Sequence, residues 1–460
     1  PVLFVLYFSI ALTSSRGATV GLLMGLAVVL WLAYGRIPRV RLAIFLGIVV
    51  FAYVAANLQL QGGVGTRLGT LTMPTTADPS RLFIWQQSWQ MLMDAPWWGV
   101  GLGTYWLHWP PYRHPQDDTA GFYAHNDYLQ IWIETGLPGL LLLLGIYVAV
   151  LVTFVRLLRH ATRDSAVLIE VAGLFGGLLA IAAHTFFDFH LYIHPIQLVM
   201  GLVLARLHAL YLAHVPARVL VATPSKRLGS RAYRVFAFLV VLLPLIYFTA
   251  LGASALLTYK GRELSVQGKW VEASVTLSRA ARLMPTSDIA LVSHADMLRQ
   301  ALGQLPPGGG DVDRRTLYRE ALALLDDAEK VNPLRPQLFF VRGLLYQQAP
   351  DLTGPDWADR AARAHATALK RDPMAFWARE AYGGLLLWQG KLELAKDVLE
   401  GGIDYRYAGS AVVGYYTLLA RARREAGEIE RAETLEKKIS EMTGRPVKPL
   451  TGSLISPRQK

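Results

Sequence analysis

The chain of 460 residues is 53% hydrophobic and 17% charged, with 46 Lys and Arg against 34 Asp and Glu and no cysteine. Soluble globular chains carry about a quarter charged residues, which argues against an ordinary cytosolic enzyme. The missing cysteine removes disulfides, iron–sulfur clusters, thiolate zinc sites and a cysteine nucleophile. The net charge of +12 is divided between both halves and forms no concentrated basic patch, so no nucleic-acid partner is expected.

Charge density separates two solvents. Residues 1 to 257 hold 16 Lys/Arg and 9 Asp/Glu, and residues 258 to 460 hold the other 30 and 25. The first part is composed for a bilayer and the second for water. A half-length apolar run, PVLFVLYFSIAL, starts at Pro1 without an initiator Met, so the chain reads as truncated at its N-terminus. Full-length runs follow at residues 18 to 34, 40 to 60, 138 to 155, 166 to 183, 191 to 213 and 235 to 257. Each is near the ~20 residues that cross a bilayer, giving about seven spans.

Basic residues sort the connections. Arg36, Arg39 and Arg41, then Arg156, Arg159 and Arg163, then Arg218, Lys226, Arg227, Arg231 and Arg234 mark alternate loops as cytoplasmic. The turn at residues 14 to 17, the long segment 61 to 137, the turn at 184 to 190 and everything from 258 onward then face outward. Arg16 stands at the outer end of a span, where an arginine is costly unless it snorkels or holds an anion.

The long outer segment carries seven Trp, including Trp85, Trp89 and Trp132, which suit either interfacial anchoring or stacking on sugar rings. In DPSRLFIWQQSWQMLMDAPWWGVGLGTYW, Arg81 opens an amphipathic helix capped by Asp78 or Ser80 and ended by Pro96 and Gly99. In AHNDYLQIWIETGLPG, His125 precedes another helix that ends at Gly136 and Pro138. Asn126 and Tyr128 beside it, with His184 and Asp188 of the later turn, are possible site lining. Helix capping and interfacial placement explain the last two equally well. Glu170 and Arg206, in spans near the cytoplasmic side, are expected to pair with each other. No spacing of His108, His114 and His125 matches a known metal-ligand motif, so neither a metal nor any other cofactor is expected.

From residue 258 the pattern is amphipathic, with Ala, Ala seven later and Pro five after that: Ala273, Ala280, Pro285; Ala321, Ala328, Pro333; Ala361, Ala368, Pro373. Degenerate copies follow at Ala395 and Ala432, and LPPGGGDVD at 305 to 313 reads as an insertion. This resembles the tetratricopeptide repeat. The expected architecture is therefore all-α: a polytopic transmembrane helical bundle at 1–257 with its outer loop at 61–137, a soluble α-solenoid of tetratricopeptide-like helix pairs at 258–445, and a tail at 446–460.

The run SRGA before a span, then R.FIW..SW.M..D.PWWGVGLGTY, then AHNDYLQ.W.ETGLPGLLLLL, together resemble the conserved half of the O-antigen ligase and polymerase superfamily, which includes bacterial O-oligosaccharyltransferases. HTFFDFHLYIHP is similar to a turn carried by exopolysaccharide polymerases of that group. The resemblance, over roughly residues 1 to 213, implies a glycosyltransferase of lipopolysaccharide or exopolysaccharide biosynthesis in the bacterial inner membrane, multi-pass, with a periplasmic C-terminal domain. It implies a polyprenyl-diphosphate-linked glycan as donor, and an acceptor glycan, lipid A core or protein hydroxyl. Arg16 and Arg81 match the family's diphosphate-binding arginines and His125 its essential histidine. Guanidinium forks suit an oxyanion, and imidazole, titrating near neutrality, suits proton removal from the acceptor. The competing reading is a non-catalytic membrane anchor or glycan exporter whose repeat domain recruits a protein partner.

Overall fold

The computed structural model describes residues 1–61, 79–117, 119, 121–160, 165–216, 230–305, 311–407 and 409–444. Asp78, Arg67, Arg163, Arg218, Lys226, Arg227, most of the 305–313 insertion and the 446–460 tail lie outside them. Among the described residues every regular element is a helix, and the chain forms two compact units, Pro1–Leu220 and Val221–Lys460.

The first unit contains α1 (Val2–Leu12), α2 (Arg16–Ala33), α3 (Arg39–Gln59), α4 (Pro79–Asp94), α5 (Asp127–His160), α6 (Ser165–His184) and α7 (His194–His214). Helices α2, α3, α5, α6 and α7 are long and apolar enough to cross a membrane, as is Arg234–Val266 of the second unit, and α1 is a shorter apolar helix. This is a multi-pass membrane protein. The bundle is outside-in relative to soluble proteins: Leu141, Leu142, Leu198 and Leu202 are exposed where lipid is the solvent. Phe154, Leu157, Val171, Leu207 and Leu210 fill the space among α5, α6 and α7.

Helices α2 and α6 meet through small residues. A Cβ on Gly25 would stand 2.5 Å from the Gly176 carbonyl oxygen, and one on Gly176 2.8 Å from that of Gly25. Only glycine admits backbones this close, the packing that drives helix association where no water is displaced. Glu170 and Arg206 form the expected pair, with Nε to Oε1 at 2.6 Å and Nη2 to Oε2 at 3.0 Å.

The second unit begins with α8 (Ser230–Val266) and continues through α9 (Trp270–Leu283), α10 (Asp288–Leu302), α11 (Asp311–Val331), α12 (Pro336–Gln348), α13 (Trp357–Arg371), α14 (Phe376–Trp388), α15 (Leu392–Glu400), α16 (Val413–Glu425) and α17 (Ile429–Thr443). Each helix from α8 to α17 packs on its successor in the chain, with the short helix Pro350–Thr353 between α12 and α13. Ala273, Ala280, Ala321, Ala328, Ala361, Ala368, Ala395 and Ala432 are all fully buried at these contacts. Pro285, Pro333 and Pro373 fall in the connections after α9, α11 and α13, where a helix has to stop. The result is an α-solenoid of tetratricopeptide-like helix pairs. It has two hydrophobic cores, one from Leu264 to Ala378 and one from Leu386 to Ile439.

Candidate functional site

The outer segment folds on a core of its own. On α4, Ile84, Met91 and Leu92 recur at helical spacing and are buried against Tyr105, Trp109, Ala124 and Ile133. The turn after α4 interlocks with α5. Val100 and Gly101 donate to the carbonyls of Ile133 and Glu134 at 2.9 and 2.8 Å, and Leu137 donates to Pro96 and Trp97 at 3.2 Å each. At that point α5 breaks: Gly136 has φ 67 and ψ −171, and any side chain there would overlap the Trp97 carbonyl.

Glu134, 1% exposed, ties this region together. Its carboxylate accepts from the amides of Gly103 (2.8 Å) and Tyr105 (3.1 Å), the Gln130 side chain (3.2 Å) and the Tyr192 hydroxyl (2.6 Å). Burial and this carboxylate hold the Tyr192 hydroxyl far above its ordinary pKa. Four donors satisfy a charge that would otherwise be prohibitive to bury.

His125 occupies a left-handed backbone conformation, φ 51, which costs a side-chain-bearing residue roughly 1 kcal/mol. The flanking residues enforce it. The Ala124 amide donates to Gln130 Oε1 (2.9 Å), its carbonyl accepts from Trp85 Nε1 (3.0 Å), Asn126 Oδ1 accepts from the Leu129 amide (3.1 Å), and the Asp127 amide donates to the Thr185 carbonyl (3.0 Å). Asp127, fully buried, accepts from the Leu191 amide at 2.8 Å, and so fastens the start of α5 to the turn between α6 and α7.

That turn carries the rest of the site. His125 Nδ1 lies 3.4 Å from Asp188 Oδ1, and its ring meets Phe189 edge-on at 5.1 Å. Arg81 Nη1 donates to the Phe187 carbonyl at 2.8 Å. Burial would raise the Asp188 carboxyl, but His125, the Phe189 amide and the nearby Arg81 charge outweigh it and hold it below its ordinary value. Burial pushes the His190 imidazole down against the opposing pull of Asp188. At the start of α2, Ser15 Oγ accepts from the Ala18 amide (3.2 Å) and lies 3.3 Å from His184 Nε2. A Cβ on Gly17 would stand 2.7 Å from the His184 ring. Arg16, between Ser15 and Gly17, is thereby held beside the same turn.

Five of the seven residues singled out from sequence thus converge on one turn: His125, Asp188 and His184 within it or against it, Arg81 bonded to it, and Arg16 beside it. The polar atoms of the other two serve the scaffold, Asn126 capping α5 and the Tyr128 hydroxyl donating to the Ala182 carbonyl at 2.7 Å. Two apolar grooves of about 540 and 550 Å³ flank Tyr128 and Phe186, one walled by Val20, Met24, Leu144 and Ala183, the other by Trp85, Trp89, Trp132 and Leu140. Sequence reading missed Glu134, Asp127 and Ser15, whereas it places His190 on one outer turn with His184 and Asp188. The one signal available was acidic residues inside an otherwise apolar helix pattern.

Residues 1–144, which include Arg16, Arg81 and His125, match the family model described as O-Antigen ligase. This part of the chain is similar to the O-antigen ligase domain. The chain is 31% identical over 171 residues to the exopolysaccharide production protein ExoQ of Rhizobium meliloti, covering 35% of this chain and 38% of that protein. The chain therefore spans well under half the length of this curated relative. Solved structures with loose likeness include the MamA protein (14% identity, TM-score 0.28, 42% of this chain and 92% of that one). Two more are a tetratricopeptide repeat protein from Parabacteroides merdae (14%, 0.30, 63% and 93%) and yeast Tom70 (13%, 0.27, 85% and 85%).

Proposed function

We propose that the protein is a membrane glycosyltransferase that moves a glycan from a polyprenyl-diphosphate donor to an acceptor hydroxyl at the periplasmic face of the bacterial inner membrane. The observation that carries this reading is the His125–Asp188 contact at 3.4 Å on a turn that Arg81 also engages. A carboxylate beside one imidazole nitrogen orients the ring, leaving the other nitrogen as the base.

In this reading the acceptor oxygen attacks the anomeric carbon while His125 takes its proton. The bond from that carbon to the diphosphate oxygen breaks, its electron pair leaves with the diphosphate, and Arg16 and Arg81 balance the charge that develops. No covalent intermediate forms, so configuration inverts. The grooves beside Tyr128 and Phe186 offer apolar surface suited to an isoprenoid chain. The exopolysaccharide relative and the repeat domain favour a growing polysaccharide as acceptor over lipid A core or protein.

The test is transfer by the purified full-length protein from a lipid-linked oligosaccharide. His125→Ala is expected to lose at least ~10²-fold in rate with donor affinity nearly intact, while Arg81→Ala weakens donor binding itself. Equal loss of donor affinity in both variants, or a product that keeps the donor's anomeric configuration, would refute the assignment.

A further inference from the structure

The turn between α6 and α7 holds two imidazoles, those of His184 and His190, that glycosyl transfer leaves unused, on either side of Asp188. His184, Asp188 and His190 each offer one ligand atom, and the three atoms lie within 4.8 Å of one another. The two imidazole rings are 3.9 Å apart, centroid to centroid. Nδ1 of His190 is buried and has no hydrogen-bond partner. Both contacts of the Asp188 carboxylate, with His125 and with the Phe189 amide at 3.0 Å, fall on Oδ1, which leaves Oδ2 available.

We propose that His184, Asp188 and His190 bind one divalent transition-metal ion of the zinc class. Two imidazoles and one carboxylate select a borderline ion over Ca²⁺ or Mg²⁺, which prefer shells of oxygen alone. Metal–ligand bonds of ~2.0–2.2 Å put tetrahedral ligand atoms roughly 3.3 Å apart, so the three groups close by up to about 1.5 Å, within the reach of side-chain rotation. Ser15 supplies the outer oxygen such sites use to orient a ligating imidazole, being fixed by the Ala18 amide and facing His184 Nε2. Three protein ligands leave a fourth position open. Because Arg81 bears on the same turn, that position favours water or an oxyanion over a second cation. Asp188 then bridges, with Oδ1 toward His125 and Oδ2 toward the ion, and the ion stands outside the bond-making step. The site holds whether or not the chain transfers glycan.

The experiment uses the full-length protein in nanodiscs, stripped with EDTA and titrated with Zn²⁺ and separately with Co²⁺. One Zn²⁺ per chain is expected, and Co²⁺ is expected to give the strong visible absorption of a four-coordinate site. His184→Gln and His190→Gln should each weaken Zn²⁺ binding at least ~10-fold, Ser15→Ala by about 10-fold, and His108→Gln and His114→Gln not at all. Zn²⁺ binding that survives the His184→Gln/His190→Gln pair, or its absence from the unmodified protein, would overturn the proposal. So would the weak spectrum of six-coordinate Co²⁺ in the unmodified protein, a readout that needs no variant to fold.

Discussion

At the scale of single residues, the candidate site is built on scarce donors whose shape matters as much as their charge. Arg81 has one donor on the Phe187 carbonyl, and in the proposed reading the remainder of its fork engages the diphosphate. Lysine at this position keeps the charge but cannot do both. Arg81→Lys is therefore expected to recover less than about a tenth of the wild-type transfer rate, measured with saturating acceptor, and full activity would show that point charge alone suffices. The arginines and His125 are readable from sequence because each stands in a motif. Glu134 is not, since apart from the neighbouring Gln130 its donors sit on Gly103, Tyr105 and Tyr192, at separations no local pattern connects. Asp127 is hidden for the same reason, acting on Leu191 across the fold.

At the scale of elements, the apolar runs and the alanine periodicity are legible because each reports a local rule: hydrocarbon thickness for the spans, close helix contact for Ala273, Ala321 and Ala361. The break in α5 is announced by its glycine and proline, but not what it is for. Gly136 puts the Trp97 carbonyl where a side chain would go, and its φ of 67 is left-handed. Gly136→Ala is expected to destabilise the outer segment by ~1–3 kcal/mol. Hydrogen exchange at Val100 and Gly101, whose amides bond to α5 just before the break, should then rise selectively. Unchanged protection there would mean the interlock contributes nothing to stability.

At the scale of the whole molecule, two histidines inside the solenoid make its stability acid-sensitive. His294 and His365 are almost wholly buried, and burial pushes each down to about 4. Below pH ~6.5 the unfolded chain takes up protons that the folded chain refuses until about pH 4, so stability falls with pH across that window, by up to roughly 3 kcal/mol per histidine. Thermal unfolding of the full chain followed between pH 7 and 4.5 should show this slope, and His365→Gln should lessen it. A flat profile would place the protonation elsewhere. Orientation is checked in spheroplasts: Lys330→Cys is expected to react with an impermeant thiol reagent and Arg39→Cys to stay silent, and the reverse pattern would invert the proposed topology.

The glycine seam between α2 and α6 restricts how this bundle can move. With the carbonyls of Gly25 and Gly176 seated against each other's α-carbons, neither helix can slide or part without losing backbone contact along the seam. Ser15, Arg16 and His184 therefore form a stationary wall, like the fixed jaw of a vice. The segment that carries Arg81 and His125 faces this wall and is fastened to the same turn through Arg81 and Asp127.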